Sequence, residues 1–229
     1  MPMFYLDPTY ILLFPAFILY VWAQFKVQSN FNRYSRVYSR TGVTGAQVAQ
    51  KLLEANGIYD VGIERVAGSM TDHYHPTKKK LFLSETVYGE SSIAAICVAA
   101  HEVGHAIQHH EEYKPLSIRS MLVPAANLGN YASWILLIVG LILSIEPLVQ
   151  IGIILFSFVV LFQLVTLPVE FNASSRALQQ VAYYGFLDND ELAGGKKVLS
   201  AAAWTYVAAA VMAILQLLRL LLIFGNSRD

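Results

Sequence analysis

Four long apolar segments alternate with more polar stretches along the chain. They are residues 10–22 (to residue 25 if Gln24 is tolerated), residues 134–144 with their apolar N-terminal extension, residues 148–167 and residues 198–224. Each supplies about 20 mostly apolar residues, the first only with its flanks, which is enough for a helix to cross roughly 30 Å of hydrocarbon. The pattern therefore predicts a mainly α membrane protein with about four transmembrane helices.

The polar stretch between the first two apolar segments, residues 26–118, has the pattern of a small α+β module. Thr44 is placed to cap a helix at residues 45–56, and Gly57 is placed to end it. Apolar residues recur inside that helix at near-helical spacing, namely Val48, Leu52 and Leu53. The module should therefore pack this helix against a core.

Two short strands are predicted in the same module, at residues 61–67 and 81–83. Residues 72–80 form the turn region between them. An exposed strand at the edge of a sheet can bind an extended peptide by strand addition. We therefore expect residues 79–83 to form an edge of the sheet.

The next predicted helix, residues 93–107, contains the motif His101-Glu102-Val103-Gly104-His105 and follows a Ser91–Ser92 N-cap. Residues four apart lie on one helix face, about 6 Å apart along the axis. Imidazoles at this spacing can meet on one Zn²⁺, and zinc lowers the pKa of its water toward about 7. Glu102 is placed to take the proton of that water, so the motif predicts a metal-dependent peptidase.

Composition supports a membrane location. Only 14% of the residues are charged, against about 25% in soluble domains. The net charge is zero, so no nucleic-acid partner is indicated. The single cysteine, Cys97, excludes a disulfide within the chain.

Basic residues set the expected orientation. Four follow the first apolar segment closely and none precedes it, and these four are Lys26, Arg33, Arg36 and Arg40. The positive-inside rule then places the N-terminus outside and residue 26 onward in the cytoplasm. Residues 144–147 carry Glu146 and no basic residue, as expected for an external turn. Two spans separate His105 from Glu170, so both should lie on the cytoplasmic side.

A catalytic zinc usually has three protein ligands and one water. Cys97 lies on the same helix stripe as His101, but Cys97 and His105 are eight residues apart, or about 12 Å of helix rise. One straight helix cannot bring both to one ion. The same geometry excludes His109 as a partner of His101, so the third ligand should come from elsewhere.

Three residues outside the helix are candidates for the third ligand. His73 and His75 lie in the preceding turn, where a surface position is the ordinary reading. Glu170 is favoured because it follows Pro168, a residue common in the first turn of a helix, and so should open a helix at residues 169–184. Three polar residues accompany Glu170 as candidates to support the site: Asn172, Ser174 and Arg176.

The chain resembles the YugP-type neutral zinc metallopeptidases of bacterial membranes. The resemblance rests on residues 101–108 (HEVGHAIQ), residues 72–84 with their Asp-His-Tyr start, and residues 167–173 (LPVEFNA). A more distant likeness is to the HtpX and CAAX-protease group. The resemblance implies a zincin-like module in the inner (plasma) membrane of a bacterium, with zinc bound by a glutamate after a membrane hairpin and by both motif histidines. Asn172 and His75 depart from the family pattern.

The leading hypothesis is a multi-pass zinc endopeptidase that acts on proteins or peptides at the cytoplasmic membrane face. Its oxyanion stabiliser is left open among His73, Tyr74 and Arg176. The alternative is a non-catalytic scaffold or chaperone-like protein with a structural metal, which would usually need four protein ligands. A transporter is disfavoured, and an oligomer or an accessory protein is compatible with the sequence.

The expected organisation has five parts. Residues 1–25 form an anchor, and residues 26–118 form the cytoplasmic module. Residues 119–167 form a transmembrane hairpin. Residues 168–197 form the helical segment with the third ligand, and residues 198–229 form the last transmembrane helix.

Overall fold

The computed structural model describes residues 8–224; residues 1–7 and 225–229, at the outer ends of the first and last predicted parts, lie outside this range. The described chain is mainly helical and contains one small sheet. After a 3-10 helix at Pro8–Leu13, its elements are, in order, α1 (Phe14–Tyr34), α2 (Gly45–Ala55), β1 (Gly62–Val66), β2 (His73–His75), β3 (Lys80–Ser84), α3 (Glu85–Tyr88), α4 (Ile93–His110), α5 (Lys114–Ile142), α6 (Glu146–Tyr183) and α7 (Asn189–Phe224).

Four helical stretches are long and apolar enough to cross a membrane, judged by length and composition. They are Pro8–Tyr34, Lys114–Ile142, Glu146–Tyr183 and Asn189–Phe224. Many of their large apolar side chains are exposed, as a lipid-facing surface requires. The predicted mainly helical class with four candidate spans is confirmed.

The chain divides into two compact units. One, here called the apolar unit, comprises Met1–Ala23, Ile118–Leu167 and Thr205–Asp229. The other, here called the mixed unit, comprises Gln24–Ser117 and Pro168–Trp204 and contains the whole sheet.

The sheet of the mixed unit has the strand order β1-β3-β2. Strand β3 pairs in parallel with β1 and antiparallel with β2. The prediction that residues 79–83 form a free edge is therefore wrong, because Lys80–Ser84 is the central strand. The edge next to it is β2, within the predicted turn region, where only three residues pair before Pro76 and leave little periodicity to detect.

The core of the mixed unit packs α2 against α4. Thr44 and Gln47 form a reciprocal capping box at the start of α2, and Gly57 ends it with φ +70°, a conformation that glycine adopts without strain. The buried side chains of this core include Leu52, Leu53, Ile96 and Val103. The predicted helix and both of its end signals are confirmed.

Helix α6 departs from the prediction. It runs without interruption from Glu146 to Tyr183, with Pro168 in its interior, so no new helix opens at residue 169. Proline inside a helix removes one backbone hydrogen bond and usually costs about 3 kcal/mol. Helices in membranes tolerate it because side chains and neighbouring helices satisfy the freed groups, so Pro168 did not mark a boundary here.

Candidate metal centre

Helix α4 carries both motif histidines within a buried setting. Its N-terminus is capped by Ser92, whose Oγ accepts a hydrogen bond from the backbone N–H of Ala95 at 3.2 Å. The helix continues to His110, and most of its residues are buried. Burial on several faces makes α4 a rigid support for the side chains that it carries.

A close helix crossing brings Glu170 to α4. A Cβ added to Gly104 would lie 2.8 Å from the carbonyl oxygen of Ala173 and 3.1 Å from its Cα. The backbones of α4 and α6 can therefore approach only because both positions are small. Glu170 lies three residues before Ala173, about one turn earlier on α6, on the side that meets the motif.

Three ligand atoms converge at this crossing. Glu170 Oε2 lies 3.3 Å from His101 Nε2 and 3.6 Å from His105 Nε2. All three atoms lie within 4.8 Å of one another. Ligand bonds of about 2.1 Å in a tetrahedral zinc site place neighbouring ligand atoms about 3.4 Å apart. The observed separations fit a zinc ion among these three side chains.

The other ring nitrogen of each histidine already has a partner. His101 Nδ1 lies 3.2 Å from Ser174 Oγ, and His105 Nδ1 lies 3.0 Å from Gln108 Oε1. These contacts leave both Nε2 atoms directed at the carboxylate. Ligand histidines in zinc sites commonly bond in this way through the second nitrogen.

Glu170 Oε2 is buried without a hydrogen-bond partner among the described residues. A buried charged oxygen in that condition costs free energy unless a cation compensates it. Burial alone would lower the pKa of the His105 imidazole, but the carboxylates of Glu170 and Glu102 outweigh burial and raise it. The same negative charge would attract a metal cation, so this donor set suits zinc.

Glu102 is held in place by the edge strand. Its Oε2 accepts a hydrogen bond from the backbone N–H of Tyr74 at 3.0 Å. Strand β2 is fixed in turn by Asp72, whose carboxylate accepts bonds from the N–H and the hydroxyl of Ser84 at 2.7 and 2.9 Å. Partial burial raises the pKa of the Asp72 carboxyl, and its partner Ser84 is fully buried.

The remaining predicted support residues occupy different places. His73 is exposed, with Nδ1 2.9 Å from the carbonyl of Thr71 and its ring stacked on Phe82. The hydroxyl of Tyr74 lies 2.8 Å from Nδ1 of His109. Thus the backbone of Tyr74, and not its side chain, meets Glu102. Neither His73 nor the Tyr74 hydroxyl is in contact with the three ligand atoms.

Arg176 and Asn172 are connected to His105 through the side chain of Gln108. Arg176 Nε donates to Asn172 Oδ1 at 2.8 Å, and its guanidinium pairs with Glu111 at 2.7 Å. That pairing lowers the pKa of the Glu111 carboxyl. Both Arg176 and Asn172 therefore take part in a polar network, with the arginine engaged at two points.

The other sequence candidates for the third ligand lie outside the cluster. Cys97 is fully buried, and burial raises the pKa of its thiol to about 12. Nδ1 of His75 accepts from the backbone N–H of Lys78 at 3.3 Å. Within the described part of the chain, Glu170 is the residue that joins the two histidines.

Sequence reasoning gave no role to Gln108. This side chain is fully buried and contacts His105, the carbonyl of Val169 and Asn172. An available signal was its position three residues after His105, on the same helix face, in a largely apolar run.

Comparisons with known proteins agree with the geometry. A family model described as "putative neutral zinc metallopeptidase" matches residues 9–225. A Bacillus subtilis (strain 168) protein described as "putative membrane protease YugP" is 53% identical over 208 residues, covering 91% of this chain and 92% of the relative. No solved structure matches the chain. The chain belongs to this neutral zinc metallopeptidase family.

Proposed function

We propose that this protein is a membrane-embedded, zinc-dependent peptidase in which His101, His105 and Glu170 bind the metal and Glu102 is the general base. The observation that carries the proposal is the buried Oε2 of Glu170, which faces two imidazole Nε2 atoms at 3.3 and 3.6 Å and has no hydrogen-bond partner among the described residues. Three potential ligand atoms for a metal meet there, and a metal cation would stabilise such a cluster.

When bound, zinc supplies an acidified water and polarises the substrate carbonyl. Glu102 would act first as a base, accepting a proton from the attacking water at its carboxylate, and then as an acid, delivering that proton to the leaving amine. The hydrogen bond from the Tyr74 N–H holds one oxygen of this carboxylate and leaves the other to accept the proton. Strand β2, clamped by Asp72 and Ser84, thus orients the base.

The size of the ligand set favours catalysis over a structural metal. Structural zinc sites usually have four protein ligands, whereas catalytic sites have three and keep one position for water. Among the described residues the cluster contains three. The match to a relative described as a membrane protease supports peptide-bond hydrolysis as the reaction.

We further propose that the site faces the cytoplasm of a bacterial cell and that its substrates are proteins or peptides close to the bilayer. The positive residues after the first span support this orientation. Cysteines introduced at Tyr59, which is 81% exposed, and at Ser144 would test it with a membrane-impermeant maleimide. Ser144→Cys should label in intact cells and Tyr59→Cys only after permeabilisation; the reverse pattern would overturn the orientation.

The central test uses Glu102→Gln in the full-length protein, purified in detergent. This variant should retain about one zinc per chain and lose at least 10³-fold in casein or peptide cleavage, because positioned proton transfer contributes about 10²–10⁴-fold and the lost base has no substitute. Glu90→Gln, at an exposed carboxylate, is the matched control and should cleave like the parent. A metal-loaded parent that cleaves nothing, or full activity in Glu102→Gln, would refute the proposal.

A further inference from the structure

Gln108 has a hydrogen-bond arrangement with one consistent direction. Its Nε2 lies 2.8 Å from the carbonyl oxygen of Val169 and 2.9 Å from Asn172 Oδ1. A backbone carbonyl can only accept, so the NH₂ end of the Gln108 amide must face it. The Oε1 end must then face His105 Nδ1, which lies 3.0 Å away.

The direction of the Asn172 amide is fixed by Arg176. Its Oδ1 is 2.8 Å from Arg176 Nε as well as 2.9 Å from Gln108 Nε2. A guanidinium can donate but cannot accept, so the atom facing Arg176 must be an oxygen. The Asn172 and Gln108 amides are thereby locked in one orientation each.

The orientation of the Gln108 amide determines which ring nitrogen of His105 carries the hydrogen. A glutamine oxygen can only accept, so the Nδ1 atom of His105 must carry the hydrogen. In a neutral imidazole the lone pair is then on Nε2, the atom that faces Glu170. This is the tautomer that binds a metal through Nε2.

We infer that Arg176 is a positioning residue: through Asn172 it reinforces the Gln108 orientation that the Val169 carbonyl also selects, and so helps to hold His105 in its metal-binding tautomer. The inference rests on the proposed function and deepens it. The partners of ligand histidines typically change metal affinity by 10–100-fold when lost. Arg176 is two hydrogen-bonded side chains away from His105, so its effect should travel along this chain of donors.

Position 172 offers a pair of substitutions that separates hydrogen bonding from packing. Asn172→Asp keeps an acceptor for both Gln108 and Arg176, whereas Asn172→Leu keeps the number and branching of the side-chain heavy atoms and has no acceptor. The arginine has a control in its second partner: Glu111→Gln weakens the ion pair with Arg176 and leaves Nε facing Asn172.

The experiment measures the zinc dissociation constant of the full chain in detergent by competition with a chromophoric chelator. Arg176→Met and Asn172→Leu should each bind zinc about tenfold more weakly, at the lower end of the effect of such partners, because the Val169 carbonyl still holds Gln108. Asn172→Asp and Glu111→Gln should remain within about threefold of the parent. The parent and His101→Ala are measured in parallel, with circular dichroism and thermal unfolding of the zinc-free form to identify variants that fail to fold.

The outcomes distinguish a failure of the proposed function from a failure of the positioning role of Arg176. Failure of the parent to bind zinc, or parent-like binding by His101→Ala, refutes the proposed function itself. Zinc binding that depends on His101 but is unchanged in Arg176→Met overturns only the positioning role. Equal loss in Asn172→Asp and Asn172→Leu also overturns it, because rescue by the acceptor is what distinguishes direction of hydrogen bonding from packing. Should Arg176→Met not fold, the Asn172 pair decides alone.

Discussion

Both units contain buried polar atoms without a hydrogen-bond partner among the described residues, but the surroundings of these atoms differ. In the mixed unit, Gln108, Asn172 and Ser174 belong to a connected network around the histidines, and it meets one unsatisfied atom, Glu170 Oε2. In the apolar unit, Ser133 Oγ and Gln216 Nε2 are buried and each lacks a partner among the described residues. An unsatisfied atom therefore indicates a ligand only where other ligand atoms converge on it.

The largest expected effect tests that distinction directly. Glu170→Gln removes the charge at the unsatisfied oxygen and should weaken zinc binding by at least about 100-fold, since even the partners of ligands contribute 10–100-fold. Gln216→Leu in the apolar unit removes an amide with an unsatisfied nitrogen and should leave zinc affinity unchanged. Both are measured by chelator competition.

Thermal unfolding provides the second readout for this pair. Gln216→Leu should unfold at or above the temperature of the parent, because an apolar group of similar size replaces an incompletely paired amide. A loss of zinc in Gln216→Leu comparable to that in Glu170→Gln would end the comparison between the units.

Close helix packing is shared by the two units but should have different consequences. A Cβ on Gly104 would lie 2.8 Å from the Ala173 carbonyl, and one on Gly129 would lie 2.4 Å from the Leu155 carbonyl. Overpacking of this kind typically costs about 1–3 kcal/mol. The crossing at Gly104 holds a ligand helix, whereas Gly129 packs two helices of the apolar unit.

Alanine substitutions at these glycines should therefore separate stability from metal binding. Gly104→Ala and Gly129→Ala should both lower the unfolding temperature in detergent. Gly104→Ala should also weaken zinc binding about tenfold, because a displacement of α6 moves Glu170 away from the histidines. Unchanged zinc affinity in Gly104→Ala would show that α6 adjusts without moving its ligand.

Local sequence signals predicted the elements that depend on local chemistry. The Thr44 cap, the Gly57 helix end and the Ser92 cap each follow from local residues, and all three are present. The four apolar spans follow from composition over about 20 residues. These features need no knowledge of distant contacts.

Two features required tertiary information. Pro168 resembled a helix start, but α6 continues through it, because context can satisfy the freed backbone groups. The central position of β3 depends on pairing with β1 and with the three-residue β2, which carry little periodicity.

The residues of the candidate site likewise include some that local sequence predicts and others that depend on contacts between distant segments. The spacing of His101 and His105 is local, and Glu170 was favoured by its place after the hairpin. The roles of Gln108 and of the Tyr74 backbone arise from contacts between segments 28 to 64 residues apart. Only the contact of Gln108 with His105, three residues earlier on the same helix, has a signal in the local spacing.

The smallest expected effect concerns Cys97, a metal-ligand residue type inside the mixed unit that lies outside the network. Its sulfur packs where a Cβ on Gly195 would lie 2.4 Å away, and burial raises its pKa to about 12. At pH 8 only about one molecule in 10⁴ would hold a thiolate, which is the reactive form. Cys97 in the folded parent should therefore resist iodoacetamide, while Ser144→Cys in the apolar unit should react readily.

Zinc affinity completes this test, because Cys97→Ala should bind zinc within about twofold of the parent if the thiol is only a small core group. Rapid alkylation of the native thiol would contradict its burial, whereas zinc loss in Cys97→Ala without a fall in unfolding temperature would place sulfur in the metal centre. The ligand set would then no longer consist of two imidazoles and one carboxylate, and His105 in its inferred tautomer would belong to a different metal geometry.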